Sequence, residues 1–137
     1  MEEDMINLFE EVQISKRSHK SLVKKLNNSY LKQFDIKTNP KPMNILLNCV
    51  LDQTLLHVKS NSNIQRLIAF FGLAITSFDD QVKAICFQHL FKRLKSTLKH
   101  VRQRVCQLIE EFLRSVTELG IEIDCDLLSV LSLNLLT

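Results

Sequence analysis

The side chains best equipped for chemistry in this 137-residue chain are four cysteines, four histidines and adjacent acids such as Asp79-Asp80 and Glu110-Glu111, and their spacing limits what they can do. Cys49, Cys86, Cys106 and Cys125 lie 37, 20 and 19 residues apart. No C-x-x-C pair exists, and a structural zinc site needs ligand pairs only a few residues apart, so the cysteines read as reduced core thiols of an intracellular protein. His19, His57, His89 and His100 form no H-E-x-x-H pattern, and Cys86 with His89 at i, i+3 is half a metal site without a second pair. Asp79-Asp80 and Glu110-Glu111 are neighbours in sequence, so their carboxylates diverge on a turn or helix instead of facing one substrate; capping and solvation account for them. Gly72 and Gly120 cannot build a phosphate loop or a dinucleotide fingerprint. The expectation is a chain without catalytic residues, cofactor, metal or small-molecule substrate.

Charge is the more informative property. The net value of +3 conceals an alternation: residues 1–15 carry −5, residues 16–41 carry +7, residues 83–104 carry +7 without an acid, and residues 105–137 return −5. Two cationic stretches brought to one face would attract a polyanion. Lysine and arginine also simply solvate outer helix faces, and for a single basic run that is the better reading. The candidates for phosphate contact, chosen from charge and expected exposure, are Lys16, Arg17, Lys20, Lys24, Lys25, Lys92, Arg93, Lys95, Lys99 and Arg102.

These residues must be positioned by helices. Two glycines and two prolines are too few for the turns of a sheet protein, while 45% hydrophobic residues suffice for a core in one domain. No apolar run reaches the roughly 20 residues of a membrane span, and the acidic start lacks the pattern of an export signal. Leu8, Phe9 and Val12 predict a first helix over 4–14. Leu22, Val23, Leu26, Tyr30, Leu31 and Phe34, interleaved with lysines, predict an amphipathic helix over 18–34, with Ser18 as a cap. Asn39-Pro40-Lys41-Pro42 breaks the pattern. Residues 43–58 are apolar on several faces and should be buried. Ser62 or Asn63 is expected to cap a helix running to Phe78, and Asp79 or Asp80 the next one. A turn at 95–99 leads to a long helix ending near Gly120, and a last helix is expected over 127–136.

These seven helices carry an internal repeat. A shift of 38 residues places Arg66 on Arg104, Leu67 on Val105, Phe70 on Leu108, Phe71 on Ile109 and Ala74 on Phe112, all on one helical face. The unit is a helical hairpin of about 40 residues, in the HEAT/armadillo range, so the expected fold is all-α, a solenoid of HEAT-like hairpins forming an interaction scaffold. The eight phenylalanines fall mostly at core spacing. Phe87 lies off the main stripe, where packing is the simpler role and a partner surface the other.

Val101-Arg102-Gln103-Arg104-Val105-Cys106-Gln107-Leu108-Ile109, followed by Leu119-Gly120-Ile121-Glu122-Ile123-Asp124, resembles the N-terminal HEAT repeats of the condensin CAP-G subunit. Lys20-Ser21-Leu22-Val23-Lys24-Lys25-Leu26 looks like the opening basic helix of that family, and Arg66-Leu67-Ile68-Ala69-Phe70-Phe71 with Thr76-Ser77-Phe78 like its following helices. The resemblance spans residues 8–128. It implies a non-enzymatic subunit acting in mitotic chromosome condensation, in nucleus and on chromosomes, that grips a kleisin subunit, meets SMC ATPases through it, and binds double-stranded DNA by phosphate contacts. Family members are much longer, so residues 1–137 read as a single N-terminal HEAT-repeat domain, a fragment of a longer row. The competing reading is a helical-repeat adaptor that binds a protein segment and makes no use of DNA.

Overall fold

The computed structural model describes residues 2–14, 19–31 and 39–121. Among them every regular element is a helix and there is no strand. Six helices follow one another: α1 (Glu2–Ile14), α2 (residues 19–31), α3 (residues 41–56), α4 (Asn61–Ser77), α5 (Asp80–Arg93) and α6 (Lys99–Leu119). Both α2 and α3 contain π-helical stretches, Asn27–Leu31 and Ile45–Leu51. The seventh helix expected over 127–136 falls outside the described residues, as does Ser18.

Boundaries follow local chemistry. Pro42 sits in the first turn of α3, where its missing N–H costs nothing. The cap of α4 is Ser60, two residues before Ser62 and three before Asn63, the expected caps: its hydroxyl accepts from the Asn63 amide, so the first turn starts earlier. Asp79 caps α5 by accepting from the Val82 amide at 3.0 Å. Gly120 closes α6 with φ 65°, the left-handed residue of a Schellman turn in which Ile121 N–H donates to the Val116 carbonyl.

Helix α4 is central. Phe9 of α1 stacks on Phe71 at 5.1 Å and meets Phe70 edge-on at 5.3 Å. On α2, His19 meets Phe70 at 5.6 Å and Asn27 donates to the Ser77 hydroxyl at 2.7 Å, so α2 and α4 run in the same direction. Helix α6 also runs with α4: Arg104 near its start reaches Val58, just before α4 begins, while Glu111 and Phe112 lie against Gly72. A Cβ on Gly72 would come within 2.7 Å of the Glu111 Cβ, so the glycine sets how closely these two helices approach. Helix α1 runs opposite to α4, with Gln13 beside Asn63 and Phe9 beside Phe70. Helix α5 lies on α6 through Phe87 and Phe112, 4.9 Å apart, so Phe87 is a packing residue. Helix α3 buries Ile45, Leu46, Leu47, Val50, Leu51 and Leu55, as its all-round apolar pattern predicts.

Two arginines each tie a helix to the end of the helix three places before it. Arg66 on α4 donates to the Gln13 carbonyl at the end of α1. Arg104 on α6 donates to the carbonyls of Thr54 (3.0 Å), Leu55 (2.9 Å) and Val58 (2.8 Å) at the end of α3. Helix ends leave carbonyls without intrahelical partners and carry partial negative charge, so a guanidinium there satisfies both deficits. The 38-residue match of Arg66 with Arg104 therefore reflects a common structural task.

Candidate nucleic-acid interface

The cationic side chains fall into two groups set by the helix directions. Lys20, Lys24 and Lys25 project from α2 and are exposed, because Leu22, Val23 and Leu26 take the buried face. Since Asn27 is level with Ser77, Lys24 and Lys25 sit toward the C-terminal end of α4. The second group surrounds the α5–α6 turn. Lys92, Lys95 and Lys99 are exposed there, and none has a carboxylate partner among the described residues. Arg102 is half-buried and donates to the Ser96 carbonyl at 2.7 Å, and the Leu98 amide donates to the Ser96 hydroxyl, so the turn that carries these charges is pinned. This group lies beside the start of α4. The groups are thus displaced along α4, whose 17 residues span about 25 Å at 1.5 Å per residue. Lys16 and Arg17 lie outside the described residues.

Arg93 differs from the other candidates. Its Nε donates to Asp52 Oδ1 at 3.0 Å and its Nη2 to Oδ2 at 2.7 Å, a two-pronged ion pair between α5 and α3. His89 Nε2 shares Oδ1 at 2.7 Å. Burial raises the Asp52 pKa, but the hydrogen bonds from Arg93 and His89 outweigh it and hold the carboxyl below its usual range. The same hydrogen bond, donated by Arg93 to Asp52, pushes the Arg93 pKa up. A fork already occupied by a carboxylate is a poor phosphate ligand, so the structure places Arg93 in the frame and not among the free cations. The chain gave no local signal of this network, because Asp52 precedes its partners by 37 and 41 residues. Arg104 is held the same way by carbonyls, and burial lowers its pKa.

The cysteines divide too. Cys86 is buried, and burial pushes its thiol up to about 12, which suits a core residue. Cys106 corrects the expectation of a core thiol: it is exposed on the outer face of α6, between Gln103 and Gln107. Cys125 lies outside the described residues. His89 is committed to Asp52, and no group of three His, Cys, Asp or Glu suited to a metal occurs among the described residues. No described helix is long and apolar enough to cross a membrane. No family model, curated protein or solved structure matches the chain.

Proposed function

We propose that these helices are the opening hairpins of a HEAT-type solenoid in a condensin subunit of the CAP-G type, a non-catalytic scaffold that helps hold duplex DNA during mitotic chromosome condensation. The observation that carries DNA contact is the pinned α5–α6 turn, where Lys92, Lys95 and Lys99 stand exposed and unpaired among the described residues. Such a surface neutralises phosphates and reads no bases. The solenoid reading is supported by helix directions that alternate between α1 and α4 and repeat between α2, α4 and α6, and by the equivalent arginine ties at Arg66 and Arg104. The partners follow from the resemblance: a kleisin and, through it, SMC ATPases.

The test is binding of a random-sequence duplex at two ionic strengths. Phosphate neutralisation predicts a steep loss of affinity with salt, and its slope gives the number of phosphates engaged. No binding at low salt, or binding insensitive to salt, would reject the DNA reading and leave the scaffold alone.

A further inference from the structure

The turn between α5 and α6 carries hydroxyls as well as cations. Residues 94–98 separate the two helices, and Ser96 and Thr97 lie among them. Another described hydroxyl outside the helices is that of Ser60, which follows a single lysine and is committed to capping α4. Ser96 instead follows Lys92, Arg93 and Lys95, at positions −4, −3 and −1, and no acid comes after it until Glu110. Its Oγ accepts from the Leu98 amide at 3.1 Å and its carbonyl holds Arg102 Nη1 at 2.7 Å, so a guanidinium stands beside this residue. Thr97, one residue on, holds neither contact. Helix α6 then begins with Leu98 as its cap, without a side-chain hydrogen bond and without an acid in its first turn, whereas Asp79 and Asp80 serve the start of α5.

We propose that Ser96 is a phosphorylation site for a basic-directed protein kinase, and that its phosphate silences the cationic turn. The silencing rests on the reading of that turn as a DNA contact. Recognition comes from the cations before the acceptor: Lys92 and Lys95 are exposed and free of carboxylates among the described residues, and Arg93 reaches the enzyme by exchanging Asp52 for one of the kinase's own acids. In the transfer, Ser96 Oγ attacks the γ-phosphorus of ATP. The Oγ–P bond forms as the bond to the β–γ bridging oxygen breaks, ADP leaves, and the hydroxyl proton passes to the kinase's catalytic carboxylate. The product adds a charge of about −1.5 to −2. The Leu98 amide already donates to this oxygen, Arg102 is bound to the same residue, and Lys99 opens α6, whose positive end favours an anion. The phosphate therefore takes up internally the cations that would meet DNA, and gives α6 the anion its first turn lacks. Duplex affinity falls while the fold gains stability, a pairing that plain charge repulsion does not produce.

The test treats the full chain with Mg²⁺-ATP and the catalytic subunit of cyclic-AMP-dependent protein kinase, a basic-directed enzyme, and locates the phosphate by mass spectrometry. Ser96 should be modified, and Lys92→Ala with Lys95→Ala should slow that transfer roughly tenfold. The phosphorylated chain should melt a few degrees higher than the untreated one. It should bind a random-sequence duplex at least roughly tenfold more weakly, with the magnitude of the log K against log salt slope smaller by roughly two. In Ser96→Ala, shown to be folded by circular dichroism, the same treatment should leave midpoint and affinity where they were. An unmodified Ser96, a phosphate on Thr97 in its place, a lowered midpoint, or unchanged duplex affinity after modification would each overturn the proposal. A chain that binds no duplex even before treatment would instead fail the DNA reading, and the silencing with it, leaving the position of the phosphate and the rise in midpoint to decide the modification.

Discussion

Arg93 and Arg104 show how much a single side chain's neighbours change its meaning. Both belong to an acid-free basic run, yet one is taken by Asp52 and the other by the carbonyls that end α3. Asp52→Asn should therefore destabilise the fold by roughly 1.5–3 kcal/mol at neutral pH, the range for hydrogen bonds to a charged group. Because the folded Asp52 pKa lies below its ordinary 3.8, the carboxylate's contribution is complete above that value and fades as pH falls through the lower folded one. Urea unfolding at pH 7 and pH 3 should show a gap between wild type and variant that narrows in acid; a gap of constant size would mean that the ion pair does not form. Arg104→Ala should cost about 2 kcal/mol by leaving three carbonyls with one donor fewer, and should leave DNA affinity per folded molecule unchanged. A folded Arg104→Ala protein with reduced DNA binding would return Arg104 to the phosphate contacts.

At the level of helices, the close approach of α4 and α6 at Gly72 supplies a sharper test than propensity. In an isolated helix, Gly→Ala gains about 1 kcal/mol. Here the new methyl would lie 2.7 Å from the Glu111 Cβ and 2.9 Å from its carbonyl carbon, so backbone must move, and overpacking of that kind costs roughly 1–3 kcal/mol. Gly72→Ala should lower the thermal midpoint, and an unchanged or raised midpoint would show that the two helices are not held at this spacing. The same elements show what the chain reveals about itself. The helices of the described region were legible from the spacing of Leu67, Phe70 and Phe71 or of Val105, Leu108 and Ile109, because those side chains face a core that rejects water. So were the Asp79 cap and the Gly120 stop, which are local backbone chemistry. The π-helical stretches of α3 were not, since apolar residues on every face fix no period. Nor was the Asp52 network, because Asp52, His89 and Arg93 come together only through the packing of α3 against α5. Exposure of Cys106 was hidden for a related reason: its place on α6 faces away from both α4 and α5, and only their positions reveal it.

On the scale of the whole molecule, the question is how one polyanion could engage both cationic groups. They are displaced by about the length of α4, roughly 25 Å, which at 3.4 Å per base is about seven base pairs of duplex. If the two groups share a face, a duplex running obliquely across α2, α4 and α6 touches both, whereas one confined to the α5–α6 turn touches a single group. Charge reversal separates these cases. Under the first, Lys24→Glu with Lys25→Glu and Lys95→Glu with Lys99→Glu should each weaken binding. Each pair should lower the magnitude of the log K against log salt slope by roughly two, since each lost phosphate contact removes about 0.9. Combined, their effects should add, because the sites are too far apart to couple directly. Under the second, only the Lys95/Lys99 pair should matter, in keeping with its pinned turn. If neither pair changes the slope while the protein stays folded, the lysines are solvating outer helix faces and the scaffold's partner is not a nucleic acid.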